Sequence, residues 1–175
     1  RLNKYAMGVM GLMCGVGNAW AGEASTSANA NNGWWTSGSA GATANYTGEG
    51  NGPALARTRT GTGKVNWAEG LAVGVDRDGL DFSFSHALAN KFGAAYAGTF
   101  NLSIGYDGSV SGSYGGVVSR GGAARSAEAG GVTRTSPYGA TSVANANGNT
   151  VGGGTVKARV DSYNRPRTPT VWRSR

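Results

Sequence analysis

Residues 65–90 read VNWAEGLAVGVDRDGLDFSFSHALAN, and this stretch decides the fold. Large side chains alternate with small or polar ones on both sides of the segment Asp76-Arg77-Asp78-Gly79. A period of two is typical of a β-strand, and a four-residue loop that ends in glycine closes a hairpin. The stretch therefore predicts an antiparallel hairpin in which the large side chains of both strands share one buried face.

The loop also fixes which residues of the two strands lie opposite each other, because a slip of one residue would turn every large side chain of one strand to the other face. If the large side chains are buried, replacing Phe82 or Phe84 by Ala should cost about 3–5 kcal/mol. The predicted pairs are Val75 with Leu80, Val73 with Phe82, Leu71 with Phe84, and Glu69 with His86.

A second hairpin follows at residues 100–114. A two-residue Asp-Gly loop and a three-residue loop with Gly108 in a bulge position both fit its turn. The longer loop sets Ile104 opposite Val110 and Phe100 opposite Tyr114. It buries more apolar surface than the shorter loop, so we prefer this register.

Small residues dominate the rest of the chain, with 32 Gly among 175 residues and only 14% charged residues. The glycines have no period of three and Pro is scarce, which excludes a collagen triple helix. Further short strands are predicted at 141–146, 150–152 and 155–160, whereas 89–97 fits either a short helix or a strand. The predicted class is all-β: an antiparallel, hairpin-rich sandwich or elongated meander with extended Gly/Ala/Ser/Asn-rich arms.

The N-terminal segment has the features of a secretory signal peptide. Arg1 and Lys4 precede an apolar stretch at 5–16, and Ala19-Trp20-Ala21 is a small-x-small cleavage pattern. The apolar stretch is shorter than the roughly 20 residues of a membrane-spanning helix. The only cysteine, Cys14, lies in this segment, so a chain cleaved after Ala21 has no disulfide. We expect a secreted protein, extracellular or at the cell surface, without a membrane span in the mature chain.

Composition divides the chain into four parts. The second part has too little apolar surface to offset its chain entropy alone and therefore needs a partner surface. Large aromatic residues in such featureless segments are candidate anchors between subunits, namely Trp34, Trp35 and Trp172. The four parts are a signal peptide (1–21), a low-complexity N-terminal arm (22–63), a β-rich body (64–160) and a basic extended tail (161–175).

The positive charge of the chain lies near its C-terminus. Positions 1–118 hold seven basic and seven acidic residues, so the whole net charge of +7 belongs to positions 119–175. A basic, proline-spaced tail is suited to contacting an anionic polysaccharide or extracellular DNA, or serves as a solvated tail. The candidate contact residues are Arg165, Arg167, Arg173 and Arg175.

No set of residues indicates catalysis, so we expect no enzyme activity and no cofactor. His86, the only histidine, lies opposite Glu69 in the predicted register, but no nucleophile or cleft accompanies this pair. Asp76, Asp78 and Asp81 are candidate calcium ligands, although their spacing does not match a calcium-binding EF-hand loop.

Two asparagines lie in triplets that permit N-glycosylation. Asn45-Tyr46-Thr47 and Asn101-Leu102-Ser103 both match the acceptor pattern, which arises readily by chance in a chain rich in Asn, Ser and Thr.

Export without disulfides, long arms that need a partner and the lack of catalytic groups together favour a structural role. We expect a self-assembling subunit of an extracellular filament, surface layer or biofilm matrix, a homo-polymer joined by strand exchange or arm docking. The alternative is a secreted binding module for an anionic polysaccharide or extracellular DNA.

Overall fold

The computed structural model describes residues 22–35, 37–48 and 52–166. The predicted all-β class is confirmed, because these residues form ten strands and no helix, arranged as two antiparallel sheets in a sandwich. The strands are β1 (Gly22–Gly33), β2 (Ser39–Thr47), β3 (Ala54–Gly61), β4 (Val65–Val75), β5 (Gly79–Asn90), β6 (Ala94–Gly105), β7 (Val110–Arg120), β8 (Ala124–Ser136), β9 (Gly139–Val151) and β10 (Thr155–Arg165).

The smaller sheet has the strand order β2-β1-β8-β9, and the larger has the order β10-β7-β6-β5-β4-β3. Strands β3 to β7 form a meander in which each strand pairs with the next. The chain passes from one sheet to the other between β2 and β3, between β7 and β8, and between β9 and β10. Strands β2, β9, β3 and β10 are therefore the sheet edges.

Both predicted hairpin registers are confirmed. In the β4–β5 hairpin Val73 lies opposite Phe82, and the other three predicted pairs are present as well. In the β6–β7 hairpin Ile104 lies opposite Val110, and Gly108 has a positive φ of 83°, as the longer loop requires. The undecided segment 89–97 belongs to β5 and β6 and to the turn between them.

The predicted N-terminal arm is part of the sandwich. Its residues form β1, β2 and β3, and β1 pairs with β2 on one side and with β8 on the other. The surface that orders this segment is therefore supplied by the chain's own body. Strand β10 likewise extends to Arg165, into the segment predicted as a tail. Strand β9 is continuous through Asn147-Gly148-Asn149, where a break between two short strands was expected.

The prediction that the large side chains of the β4–β5 hairpin form its buried face is wrong. Phe82 and Phe84 point away from the second sheet and are only half-buried, whereas the small residues that alternate with them are buried. Apart from Val117, every buried hydrophobic residue in the described part of the chain is alanine. The interior of the sandwich is thus filled by Ala, Gly, Ser, Thr and Asn, and the large apolar side chains lie outside.

The close approach of the two sheets explains this inversion. A Cβ atom added to Gly70 in β4 would lie 2.6 Å from the carbonyl oxygen of Thr43 in β2 of the opposite sheet. A Cβ on Gly115 in β7 would lie 3.1 Å from the carbonyl oxygen of Asn145 in β9. Strands rich in small residues permit such contact. One large ring, that of Tyr46 on β2, enters between the sheets, where it covers Gly74 of β4. Around Gly70 and Gly115 no space remains for a phenylalanine or leucine side chain.

Polar side chains between the sheets are joined by hydrogen bonds. The Thr26 and Ser83 hydroxyls lie 2.8 Å apart across the interface, and Ser83 Oγ donates to Asn101 Oδ1 at 2.6 Å. Asn101 Nδ2 in turn donates to the Val143 carbonyl oxygen at 3.3 Å. Such bonds offset the cost of burying polar groups and align the two sheets.

The outward position of Phe82 and Phe84 changes the expected cost of truncating them. Because these rings are half-buried and leave no internal cavity, replacing either one by Ala should lower the free energy of unfolding by only about 1–2 kcal/mol. Urea denaturation of each variant beside the unmodified chain measures this. A loss above about 3 kcal/mol would indicate that the phenylalanines are enclosed after all.

Candidate functional site

The outer surface of the six-stranded sheet carries most of the large apolar side chains of the described residues. We call this surface the aromatic face. Because side chains alternate between the faces of a strand, every second residue of the meander contributes to it. Its members are Leu55, Trp67, Leu71, Val73, Leu80, Phe82, Phe84, Leu88, Tyr96, Phe100, Leu102, Ile104, Tyr114 and Tyr163.

The strand register arranges these side chains in rows across the sheet. One row runs through Leu71, Phe84, Phe100 and Tyr114, which are successive partners on β4, β5, β6 and β7. Phe82 packs diagonally against Phe100, with ring centroids 6.0 Å apart and planes inclined by 60°. Cross-strand aromatic pairs of this kind stabilise a sheet and hold the rings in place.

The aromatic face is open to solvent in the isolated chain. Phe100 retains 45% of its surface, Tyr114 50% and Tyr163 61%, although all three are large and mainly apolar. A shallow pocket of about 250 Å³ lies between them and Asp161. Single exposed apolar residues are ordinary on protein surfaces, but a contiguous patch over a whole sheet marks an interaction site.

Charged residues lie at the two edges of the aromatic face. Arg57 and Arg59 project from edge strand β3, and Lys157 and Arg159 project from edge strand β10. Arg159 Nε is 2.6 Å from Asp161 Oδ2, and this exposed pair contributes little to stability. Charges on edge strands discourage random strand pairing while leaving the centre of the face apolar.

The outer surface of the four-stranded sheet has the opposite character. Asn145, Asn147 and Asn149 project from β9, and residues of β1 and β2 on the same side are mainly Ser, Thr and Asn. Glu23 and Arg134 form an ion pair there, with Nη2 and Oε2 2.5 Å apart. The sandwich is therefore amphipathic as a whole, with one polar and one apolar outer face.

The predicted anchors and basic contacts are only partly described. Trp34 and Trp35 follow the end of β1 and are 56% and 90% exposed, so neither ring is buried in the body. Arg165 is the last residue of β10, at one edge of the aromatic face. The signal peptide (1–21), Trp172, Arg167, Arg173 and Arg175 lie outside the described residues.

The structure does not bring the three candidate calcium ligands into one site, since no group of three or more potential ligands occurs among the described residues. Asp76 Oδ1 instead accepts hydrogen bonds from the backbone N–H groups of Asp78 at 2.8 Å and Gly79 at 3.1 Å, which shapes the loop. Asp81 Oδ2 accepts from Thr135 Oγ1 at 2.7 Å.

The two glycosylation candidates differ in accessibility. Asn45 is exposed on the outer side of edge strand β2. Asn101 is fully buried between the sheets, and its amide is hydrogen-bonded to Ser83, Ser113 and the Val143 carbonyl. A glycan on Asn101 would not fit this interior.

Glu69 and His86 are partners in the strand register, as predicted, but their side chains are not joined. The two residues lie opposite each other on the aromatic face, but the His86 ring stacks on Phe84, with centroids 5.7 Å apart. No hydrogen bond between the two side chains occurs in this part of the described structure. The arrangement is that of surface side chains packed on a sheet.

Sequence reasoning missed the aromatic face because alternation separates two faces without revealing which one is inside. The available signal lay in the other strands. Positions 22–33 contain no large apolar residue, and 124–136 contain only Val132, which is exposed, so β1 and β8 offer mainly small side chains to the opposite sheet.

Comparison with protein-family models, curated proteins and solved structures finds no match to this chain. Across the described residues, no helix is present that would be long and apolar enough to cross a membrane.

Proposed function

We propose that this protein is a secreted structural subunit that assembles with copies of itself through the aromatic face. Its product is an extracellular layer, filament or matrix. The observation that carries the proposal is the inverted distribution of side chains, with small residues inside the sandwich and large apolar residues on one outer face. The contact surface differs from the strand exchange expected from the sequence, because β1, β2 and β3 are already paired within the chain.

The hydrophobic effect supplies the driving force for such an assembly. Phe100, Tyr114 and Ile104 are 39–50% exposed, and water released from these surfaces favours their burial against another apolar surface. The rings lie on regular strands and are held by neighbours such as the Phe82–Phe100 pair, so little side-chain freedom is lost on contact.

The aromatic face is large enough for a stable contact. Six strands about 4.8 Å apart, each about 11 residues long at about 3.3 Å per residue, give a face of roughly 1,000 Å². Standard specific interfaces bury about 800 Å² on each partner. A second copy offers a surface of the same size and chemistry, and contact between equal faces buries both and forms a dimer. The open edge strands β2 and β9, which carry no charged residue, then allow such dimers to extend into a layer or filament.

A binding module for an anionic polysaccharide or extracellular DNA is the second candidate. It is supported by the basic residues at the edges of the aromatic face, Arg57 and Arg59 on one side and Lys157 and Arg165 on the other. The described centre of the face favours self-association, since its outward residues are apolar or aromatic apart from Glu69 and His86.

Light scattering of the chain that begins at Gly22 tests the proposal. The unmodified chain should form particles that grow with protein concentration, visible as layers or filaments by electron microscopy. A triple variant, Tyr96→Ser, Phe100→Ser and Tyr114→Ser, should weaken association by about 100-fold or more because it removes the central rings. Its circular dichroism should remain that of a β-protein, since none of the three rings lies in the interior.

The matched control replaces Asn145, Asn147 and Asn149 by Ser on the polar outer face, and it should assemble as the unmodified chain does. An unmodified chain that stays monomeric from micromolar to millimolar concentration would contradict the proposal. Salt-sensitive binding of that monomer to a sulfated polysaccharide would favour the second candidate instead.

A further inference from the structure

An acidic niche lies at one end of the sandwich, where β1 begins. Asp81 on β5 is fully buried and Asp76 in the β4–β5 loop is 9% exposed. Asp81 Oδ1 accepts a hydrogen bond from Ser103 Oγ at 2.8 Å, and its Oδ2 accepts from the backbone N–H and hydroxyl of Thr135. All of these donors are neutral, and Asp81 forms no ion pair within the described residues.

Gly22, the first residue of β1, closes this niche. A Cβ atom on Gly22 would lie 2.2 Å from Asp76 Oδ2 and 2.9 Å from Asp81 Oδ2, so a side chain here would have to displace these carboxylates. The nitrogen of Gly22 is bonded to the same Cα at about 1.46 Å. The nitrogen and both carboxylates therefore lie within a few ångströms of one another.

The hydroxyl of Tyr46 lies near enough to Asp76 and Asp81 for their charges to act on it. Burial, and then the negative charges of Asp76 and Asp81, raise the pKa of Tyr46 to about 12. The hydroxyl oxygen is buried and has no hydrogen-bond partner among the described residues. Burial likewise raises the pKa of Asp81, although hydrogen bonds from Thr135 and Ser103 oppose the shift. The niche is thus rich in hydrogen-bond acceptors.

Gly22 is also the residue that follows the predicted cleavage pattern Ala19-Trp20-Ala21. We propose that peptidase cleavage after Ala21 creates an α-ammonium group on Gly22, which binds Asp76, Asp81 and the Tyr46 hydroxyl and locks the mature fold. Water hydrolyses the peptide bond, so that Ala21 gains a carboxylate and Gly22 gains the amine, which is protonated at neutral pH. The three N–H donors of the ammonium match the three oxygen acceptors.

In this proposal, cleavage during export stabilises the folded chain. Before cleavage the nitrogen of Gly22 is a neutral amide, and the buried Asp81 carboxylate lacks an opposite charge. After cleavage the ammonium supplies it, so the exported chain becomes more stable than its precursor. The inference rests on the export that the proposed function assumes, but it does not depend on self-assembly.

The pH dependence of this stabilisation follows from the direction in which each pKa is shifted. The niche raises the pKa of the Gly22 amine above its ordinary value of about 8, so the stabilisation is complete below about pH 8 and is lost as pH rises through the raised value. It also needs ionised carboxylates and is lost again in acid. Asp76, Asp81 and Tyr46 are the titratable groups at the niche, whereas Glu23 points to the other side of β1 and pairs with Arg134.

The test compares chains that begin at Gly22 with a free or an acetylated amine, in the background of the aromatic-face triple variant to keep assembly out of the measurement. We expect the free amine to titrate above its ordinary value of about 8 by NMR, and acetylation to lower Tm by about 5 °C at pH 7. The difference should vanish at pH 11 and in the Asp81→Asn variant. Asp78→Asn, which removes a charge from the same loop, is the matched control and should keep the difference.

Mass spectrometry of the full chain after export from a bacterial host supplies a second measurement. An N-terminus at Gly22 supports the proposal, and any other N-terminus overturns it. An amine that titrates near 8, or equal Tm values for free and acetylated chains at pH 7, overturns it as well. Either outcome leaves the self-assembly proposal intact, because that proposal is tested on the aromatic face.

Discussion

Replacing Gly70 by Val should lower the free energy of unfolding by about 3 kcal/mol or more, or prevent folding altogether. The Cβ alone would lie 2.6 Å from the Thr43 carbonyl oxygen and 3.3 Å from that of Ser27, both in the opposite sheet. Backbone atoms of a paired strand cannot move aside as a flexible side chain can. The substitution therefore forces the sheets apart where β4 packs on β1 and β2.

Urea denaturation followed by circular dichroism measures this loss, with Gly112→Val as the control. Gly112 lies in β7 on the aromatic face, and the only atom near a Cβ there is the Asn101 carbonyl oxygen at 3.8 Å. A β-branched residue suits an open strand position, so the control should be neutral or stabilising. Equal effects of the two substitutions would contradict a closely packed interior of small residues.

Replacing Asn101 by Asp should cost about 3–5 kcal/mol at pH 7. Asn101 is fully buried, and its Nδ2 donates to Ser113 Oγ at 3.2 Å and to the Val143 carbonyl oxygen at 3.3 Å. A carboxylate of the same shape loses both donations and is placed against the Val143 carbonyl oxygen, which can only accept. The charge also lies between two sheets that leave no room for solvent.

Burial should raise the pKa of this new aspartate above its ordinary value of about 4, so the penalty grows as pH rises through that value and eases in acid. Thermal unfolding at pH 4 and pH 7 measures the difference. Asn147→Asp, exposed on β9, makes the same chemical change and should alter stability by no more than about 0.5 kcal/mol. A mild effect at both positions would show that Asn101 is accessible to water.

Local pairing was predictable from the sequence because turns and alternation are local signals. The loop at Asp76–Gly79 and the bulge at Gly108 fix the two registers, since each allows few ways of closing a hairpin. Strand β1 was not predicted, because Ala, Ser and Asn in an alternating order have weak strand preference by themselves. Its order comes from pairing with β8, which is about 100 residues distant in the chain.

Which face of the six-stranded sheet is buried could not be predicted from one hairpin alone. Large side chains normally point inward because their burial favours folding, and residues 65–90 on their own support that expectation. The second sheet decides otherwise, since Ala28, Ala129 and Gly131 on its inner side leave space only for small partners. The aromatic face therefore follows from two sheets considered together, and a hairpin considered alone predicts the reverse.

Thiol accessibility along β5 tests the inverted sandwich most directly. The chain from Gly22 has no cysteine, so single substitutions in the monomeric aromatic-face variant report one position at a time. We expect His86→Cys and Leu88→Cys to react rapidly with a thiol reagent under native conditions. Ser85→Cys and Ala87→Cys, which change side-chain size little, should react at least about 100-fold more slowly, because reaction requires opening of the sandwich. Rapid reaction at 85 and 87 with protection at 86 and 88 would place the large side chains inside and contradict the account.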